Sequence, residues 1–475
     1  MSEVQRPVAT RRFGRVLIAL AVLIHVAMLA VVAWRTGALD GFAFRSVDAT
    51  EYYALGENLL DQGVFSAGQD RAATPDFWRT PGYPVVLAGL MALAGKSALA
   101  LVVAQQVFSI VNVWLMWSIA RSQMSDRRAL VVAMLYLIAP YRLFYTTWLL
   151  ATTVYSTSLL WLWWLWERWR VTQTLSRAIA VGLLAGVCVL IRPVAILIPF
   201  ALVAGCWVME SWRCRRAHEP SSVIPRSSVR SAAVLFLACL GVVSVWVVRN
   251  RVVGGHWALS SQGGVVLAYF KATEVELWLD GRSGQRYRET SLDPNRLDEP
   301  HTVWDDIDQR LQASIQDVPD RARQTLTWRH LAQGNRSQYD PFVVSSALAR
   351  IGWSMLFDRP FATVAFCLGR SMEALAFPLQ LAFEPGLTVG QRLRYAIVGA
   401  VYALLALAAV FRLVRSHVSG HPIFFPLACI VCLLLATAPQ LDPRFRVPML
   451  PFLLVIAFLP QRDGCTCAKS EPGTR

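Results

Sequence analysis

The chain has 475 residues, of which 55% are hydrophobic and only 16% are charged. This charged fraction is well below the quarter that is typical of soluble domains, so the composition excludes an ordinary soluble enzyme. The formal net charge of +15 would suit a nucleic-acid partner. However, the arginines concentrate in short connections between apolar segments, which is the positive-inside pattern of membrane proteins. No nucleic-acid partner is needed to explain the charge.

Apolar segments that are long enough, or nearly so, to cross a bilayer recur along the chain. A helix rises about 1.5 Å per residue, so roughly 20 apolar residues cross about 30 Å of hydrocarbon. We expect an all-α polytopic membrane protein with about ten transmembrane helices, at residues 16–34, 99–119, 129–145, 148–166, 177–192, 194–209, 231–248, 393–411, 422–438 and 446–460. The apolar run of the first segment is too long for a secretory signal, which favours an uncleaved helix.

The positions of the arginines predict the topology. With residues 1–15 inside, alternate loops place the basic connections 121–128 and 210–230 on the cytoplasmic side. Loops 35–98 and 251–392 are then outside. Both termini are expected to be cytoplasmic, in the cell (inner) membrane.

The chain divides into three parts by the order of its spans. Residues 1–250 form a core of seven helices that includes the first outer loop, 35–98. Residues 251–392 form a polar outer (periplasmic) region between the seventh and eighth spans, with interfacial helices. Residues 393–475 supply three further helices and a cytoplasmic tail.

Three segments outside the expected spans carry helical patterns. The run at 81–95 is short for a span and opens on a Pro-Gly-Tyr-Pro turn, so we place it in the outer interface. Segment 361–383 is long enough to cross, but Arg370 and Glu373 at its centre favour an amphipathic helix on the outer leaflet. In the outer region, apolar residues at helical spacing predict one helix face, formed by Trp304, Ile307, Leu311 and Ile315.

The first outer loop carries the most informative acidic residue, Asp48. The spacing of Tyr52 and the apolar residues after it predicts a helix on the membrane surface, which Gly63 can end. Two interpretations of Asp48 are compatible with each other. It can cap the helix, with Glu51 three residues on as in a capping box, or it can act as a general base on an attacking hydroxyl.

Four arginines are expected on the outer side, against the positive-inside bias: Arg79, Arg249, Arg444 and Arg446. Guanidinium groups stay charged and bind phosphate oxygens with two parallel hydrogen bonds. Each arginine alone is better explained as a headgroup anchor or as the partner of a nearby acid. Together with an outward carboxylate, they favour a site for a lipid phosphate.

The sequence resembles the GT-C superfamily of polyprenyl-phosphate-sugar-dependent glycosyltransferases, in the branch of the protein O-mannosyltransferases and lipid A aminoarabinose transferases. The resemblance follows the chain in order, except for 251–392. It is carried by Asp48 with Glu51-Tyr52-Tyr53, Arg79-Thr80-Pro81-Gly82-Tyr83-Pro84, Ile191-Arg192-Pro193, Val248-Arg249-Asn250 and Asp442-Pro443-Arg444-Phe445-Arg446-Val447-Pro448.

The resemblance implies a catalytic acidic residue at Asp48, with Glu51 beside it, and phosphate-binding arginines near Arg79. It further implies an inverting single displacement, in which a sugar leaves a polyprenyl-phosphate donor for an envelope lipid, glycan or protein on the outer face. Phosphate leaves without being protonated, so one base and cationic stabilisation suffice. Further candidates for the substrate pocket are Tyr52, Tyr83, Asn250 and Asp442.

Two questions stay open from the sequence. Many members of the superfamily carry a second outer acid before the fourth span, but residues 148–153 here contain none, so neither a metal site nor another cofactor is supported. The alternatives to an enzyme are a lipid or anion transporter or flippase, and a non-catalytic partner of an envelope-polysaccharide assembly machine. A transporter is disfavoured because no internal repeat is visible and His25 is the clearest midspan ionisable group.

Overall fold

The computed structural model describes residues 8–37, 42–68, 74–216, 226–280, 302–315, 339–376, 388–415, 423–437, 444 and 446–460. In these residues every regular element is a helix. The core contains α1 (Val8–Thr36), α2 (Val47–Gln62), α3 (Gly82–Ala94), α4 (Ala98–Gln123), α5 (Asp126–Leu137), α6 (Pro140–Tyr145), α7 (Thr152–Thr172), α8 (Leu175–Ile191), α9 (Ile198–Arg216) and α10 (Arg226–Gly254).

The outer region and the C-terminal part are helical as well. The outer region contains α11 (Gln262–Val265), a π-helical turn (Val266–Ala272), α12 (Thr273–Leu279), α13 (Thr302–Ser314), α14 (Pro341–Asp358) and α15 (Pro360–Ala376). The C-terminal part contains α16 (Val389–Arg415), α17 (Phe424–Thr437) and α18 (Leu450–Phe458). The predicted all-α membrane class is confirmed.

Among the described residues, four helical segments are long and apolar enough to cross a membrane: Arg12–Arg35, Ala98–Gln123, Val229–Gly254 and Val389–Leu413. Shorter apolar helices occupy most of the other expected spans. The longer helices expose many apolar side chains, such as Leu23 and Leu404. Exposure of this kind suits a lipid surround, in which an apolar face needs no protein partner.

The expected span 129–145 is not a single helix, which corrects the sequence prediction. It breaks after α5, because Pro140 has no amide hydrogen and its ring forces Ala139 into an extended conformation (ψ 116°). Arg142 repairs the break by donating from Nε to the carbonyl of Tyr136 and from Nη2 to that of Leu137, each at 2.8 Å. Carbonyl groups that the break frees are thereby satisfied.

His25 is therefore not the only buried ionisable group deep in the described core. Its Nε2 lies 2.9 Å from the hydroxyl of Ser109, which also accepts a hydrogen bond from Arg142. The sequence analysis overlooked Arg142 because it counted the whole segment as one apolar span. His25, Ser109 and Arg142 thus link α1, α4 and α6, and they stabilise the break between α5 and α6.

Helices α8 and α10 pack closely because glycines of α8 lie at their contact, where a larger side chain would not fit. A Cβ atom at Gly182 would collide with the carbonyl oxygen of Leu235, and one at Gly186 would lie 2.7 Å from Cβ of Val242. Small residues four apart are the usual way for membrane helices to approach each other. This contact fixes the position of α10, whose C-terminal end reaches the site described below.

The outer region has an apolar cluster of its own, separate from that of the core. The four residues predicted to share one face of a helix are buried in it, on α13 and just after it, beside Leu348 of α14. Arg370 of α15 is buried as well and pairs with Glu373 (2.7 Å) and Glu274 (3.3 Å). The opposite side of α15 exposes apolar residues, including Phe361 and Leu368, which gives the helix the predicted amphipathic character.

Candidate active site at the first outer loop

Helix α2 begins one residue before Asp48 and presents two carboxylates on one face. Its N-cap is Ser46 and its C-cap is Gly63, which adopts the left-handed conformation (φ 67°) as the sequence predicts. The capping interpretation of Asp48 is wrong, because Asp48 is the second residue inside the helix. Glu51 follows three residues later, so both side chains point to the same neighbour.

That neighbour is Arg79, which lies just before α3. Its Nη2 is 2.5 Å from Oδ1 of Asp48 and 2.6 Å from Oε2 of Glu51, and its Nε is 2.8 Å from the same Glu51 oxygen. The guanidinium also lies over the ring of Tyr52, 4.9 Å from the ring centre. The Arg79 side chain is only 8% exposed, and that of Asp48 is 22% exposed, so water reaches the pair from the carboxylate side.

A second arginine reaches Asp48 from the far end of the sequence. Nη1 of Arg444 donates to Oδ2 of Asp48, across a sequence separation of 396 residues. Asp48 thus lies between two guanidinium groups, one on each carboxylate oxygen. Two acids and two arginines form one charge-balanced cluster, which we call the acid–arginine cluster.

Burial by itself would raise the pKa of Asp48, but the charges and hydrogen bonds of Arg79 and Arg444 outweigh it and hold this pKa well below its usual range. Burial likewise opposes the charge of Arg79, yet Asp48 and Glu51 raise the pKa of this guanidinium further. The carboxylate of Asp48 is therefore ionised, and it is a weak base while both arginines hold it. Loss of the contact with one arginine would raise the pKa of Asp48 and make its carboxylate a stronger base.

The turn that carries Arg79 is fixed by bonds to its backbone. Oδ1 of Asp76 accepts from the amides of Trp78 and Arg79, each at 2.9 Å. The hydroxyl of Ser260 donates to the carbonyl of Trp78 at 2.6 Å, and the amide of Ser261 donates to that of Phe77 at 2.8 Å. The segment that enters the outer region therefore holds the Arg79 turn.

Arg249 belongs to this support of the turn. It donates from Nη1 to the carbonyl of Asp76 (2.9 Å) and to Oδ1 of Asn250 (3.0 Å). Its guanidinium lies among aromatic rings, 4.9 Å from the centre of Phe77 and 4.7 Å from that of Trp246. These contacts give Arg249 a positioning role toward Arg79.

The other predicted residues fall at varying places around the cluster. The ring of Tyr83 packs edge-on against that of Tyr52, with centres 5.0 Å apart, and its hydroxyl donates to Gln105 at 3.0 Å. Asn250 is fully buried and donates to the carbonyls of Ala258 and Leu259. Arg446 is buried two residues beyond Arg444. Asp442 lies outside the described residues.

Sequence reasoning missed Asp76, Ser260 and Gln105, which support the site through the backbone or through one tyrosine. Only the nearness of Asp76 to Arg79 could have indicated its role. No group of three or more histidine, cysteine or acidic side chains that could hold a metal occurs within the described part of the chain.

The fold is that of a helical membrane protein. The predicted resemblance to the GT-C glycosyltransferase superfamily is confirmed by one family model, which matches part of the chain. Residues 78–247 fit the family model of the dolichyl-phosphate-mannose-protein mannosyltransferases. This stretch includes Arg79 but neither Asp48 nor Arg444. No curated protein sequence matches the chain.

Two solved structures illustrate the likeness of this chain to known folds. ArnT from Cupriavidus metallidurans, bound to undecaprenyl phosphate, is 16% identical, with a TM-score of 0.35 over 91% of this chain and 77% of that one. The oligosaccharyltransferase AglB from Archaeoglobus fulgidus, in complex with an inhibitory peptide and a dolichol-phosphate, is 12% identical, with a TM-score of 0.47 over 95% of this chain and 50% of that one. At these low scores and identities, the likenesses establish no chemistry for the present chain.

Proposed function

We propose that this protein transfers a hexosyl or pentosyl group from a polyprenyl-phosphate donor to an envelope lipid, glycan or protein on the outer face of the inner membrane. The observation that carries the proposal is Asp48, held between Arg79 and Arg444 at the start of a surface helix. The description of the matched family, which names a dolichyl-phosphate sugar as donor, supports the same donor class.

The charge balance of the acid–arginine cluster suggests how the donor engages. Two arginines already face two carboxylates, so an incoming phosphate must take guanidinium contacts from an acid. Arg444 is the more exposed of the two arginines, at 26% against 8% for Arg79. We expect the phosphate to engage Arg444 and the free edge of Arg79, while Glu51 keeps Arg79 oriented.

This exchange would also prepare the base. When the phosphate draws Arg444 away, one of the charges that depress the pKa of Asp48 is removed, so the carboxylate becomes more basic. Asp48 then accepts the proton of the acceptor hydroxyl as its oxygen attacks the anomeric carbon from the side opposite the phosphate. The bond to the phosphate oxygen breaks with inversion. The arginines stabilise the charge that develops on the leaving phosphate.

The test is the variant Asp48→Asn, in which the amide keeps the shape of the side chain but cannot accept the proton. Envelope glycolipids and glycoproteins from cells with and without the protein identify the product by mass spectrometry, and the purified variant is then assayed for its formation. We expect transfer to be lost while the variant still folds, with a lower unfolding temperature because the ion pairs of Asp48 are removed. Near-normal turnover by a well-folded variant would remove Asp48 from the mechanism.

Asp61→Asn is the matched control. Asp61 lies at the other end of α2, is half exposed and pairs with Lys96 at 2.5 Å. The same chemical change there should leave transfer intact. The transporter alternative would be favoured by a different result. In that case cells with the protein would form no glycosylated product beyond that of cells without it, but would show substrate uptake or lipid flipping.

A further inference from the structure

A groove lies at the opposite end of the core, where α5 begins and where α16 and α18 end. Its volume is about 430 Å³. Two arginines line it, Arg128 of α5 and Arg412 of α16, and every other lining residue is apolar. Among these lining residues there is no carboxylate, so the groove combines positive charge with an apolar wall.

The apolar wall follows α16. It runs from Ala408 back through Leu405 and Leu404 to Val401, and Ala457 and Phe458 of α18 form the other side. Val401 and Arg412 are eleven residues apart on one helix, which corresponds to about 16 Å at 1.5 Å per residue. A lipid acyl chain of ordinary length would fill most of that distance.

Leu404 is 65% exposed and Val401 is 46% exposed, so the wall opens toward the surroundings of the helix bundle. Since α16 is one of the helices long enough to span the membrane, these surroundings are lipid. The two arginines lie at the end of the groove where basic connections leave the bilayer. Basic pockets between helix ends on the cytoplasmic side are a common way of binding anionic lipid headgroups.

We propose that this groove binds one anionic phospholipid, with its phosphate on Arg128 and Arg412 and an acyl chain along Val401–Ala408. The charge of the two arginines selects an anionic headgroup, and the apolar wall selects a lipid over a soluble phosphate. The site is distinct from the acid–arginine cluster, which lies beyond the opposite ends of the spans. Its role is to secure α16 against α5 and α18 in an anionic membrane.

The test uses the full-length protein in a zwitterionic detergent, with native mass spectrometry to count bound phosphatidylglycerol and phosphatidylcholine. Each basic residue near a membrane surface contributes about 1 kcal/mol to the binding of anionic lipid, so Arg128→Gln with Arg412→Gln should weaken retention of phosphatidylglycerol about 30-fold. Arg127→Gln is the matched control. Arg127 is an exposed neighbour of Arg128 and does not line the groove.

A second variant tests the apolar half of the site without changing its charge. Ala408→Trp fills the groove and should reduce phosphatidylglycerol binding while both arginines remain. Arg128→Lys with Arg412→Lys keeps the charge, so it should retain more lipid than the glutamine pair and serves if that pair does not fold.

The proposal would be overturned by any of four outcomes. These are equal retention of phosphatidylcholine, an equal loss in Arg127→Gln, no effect of Ala408→Trp, and displacement of the lipid by inorganic phosphate. Preferential binding of a polyprenyl phosphate in this groove would also contradict it, since the occupant would then be the carrier. None of these readouts depends on sugar transfer.

Discussion

The core and the outer region both use buried charged groups, but they use them differently. In the outer region, Arg370 joins α15 to α12 through Glu274, and Tyr269 donates to Asp308 of α13. These contacts tie helices together around a local apolar cluster. In the core, the acid–arginine cluster instead gathers Asp48, Arg79 and Arg444 at a helix start.

The two sets of charged contacts differ in the expected effect of their removal. The outer pairs hold helices that also share an apolar cluster, so their loss is a matter of stability. The core cluster has Asp48 22% exposed, at the edge of a helix that the apolar core already supports. Arginines on a partly exposed carboxylate are free to exchange it for another anion. The comparison leads us to expect that changes in the core cluster affect use of the donor, and that changes in the outer region affect stability and use of the acceptor.

The largest effect on the core cluster is expected from Arg79→Ala. Charge-assisted hydrogen bonds contribute about 1.5–3 kcal/mol, so donor-dependent transfer should fall roughly ten- to a hundredfold, with much less change in acceptor dependence. Arg79→Lys should recover only part of the rate, because lysine restores the charge without the planar pair of donors. The measurement is a titration of polyprenyl-phosphate sugar in nanodiscs at a fixed acceptor concentration.

Arg359→Ala is the control for that titration, since Arg359 is an exposed arginine between α14 and α15. It should leave donor dependence unchanged. If Arg79→Ala, Arg79→Lys and wild-type protein all show the same donor dependence, Arg79 does not hold the phosphate.

The converse change is Ile307→Ala in the outer region, at a side chain that is fully buried. Removal of a large buried aliphatic group costs about 2–5 kcal/mol. Hydrogen exchange should therefore speed up in α13 and α14 and stay unchanged in α4 and α7, and use of the acceptor should suffer more than use of the donor. Equal loosening of both regions would mean that they unfold as one unit.

Much of the fold and of the site could be predicted from the sequence. The features that could not be predicted share one physical reason. Hydropathy and arginine placement predict the helical membrane class, and the Asp48 and Arg79 motifs predict three members of the site, Asp48, Glu51 and Arg79. The sequence also points to Arg444 by its order among the motifs, but not to its contact with Asp48. Contacts between residues hundreds of positions apart depend on helix packing, which no local pattern encodes.

The supports of the site were missed for a related reason. Ser260 acts through its hydroxyl on the carbonyl of Trp78, and Asp76 acts on backbone amides. The bond from Ser260 joins residues far apart in the sequence, so no local pattern indicates it, whereas only the nearness of Asp76 to Arg79 could have indicated the role of Asp76. Arg249 was expected to bind phosphate because of its charge, whereas its contacts are with a carbonyl, an amide and aromatic rings.

A smaller effect is expected for Ser260→Ala, which removes the bond from the outer region to the Arg79 turn. A neutral hydrogen bond contributes about 0.5–1.5 kcal/mol, so the donor KM should rise about two- to tenfold with kcat less affected. Ser354→Ala is the control, because that hydroxyl donates only within its own helix, to Ile351. An unchanged KM would show that the two regions are not coupled through this turn.

The smallest expected effect concerns pH. Because the arginines depress the pKa of Asp48, its ion pairs stabilise the folded protein at all pH values above the unfolded pKa of about 3.9. That contribution is lost only as the pH falls through the lower folded value. The difference in unfolding temperature between wild-type protein and Asp48→Asn should thus be the same at about pH 7 and about pH 5. A difference that shrinks within that interval would contradict the assigned ion pairs.

Asp48 and Arg444 are 396 positions apart, so they leave the ribosome at different times. At synthesis rates of about 5–20 residues per second, Asp48 leaves the ribosome roughly 20–80 seconds before Arg444 does. Of the two arginines in the cluster, only Arg79 then exists to pair with Asp48. A chain truncated before residue 444 therefore lacks part of the acid–arginine cluster.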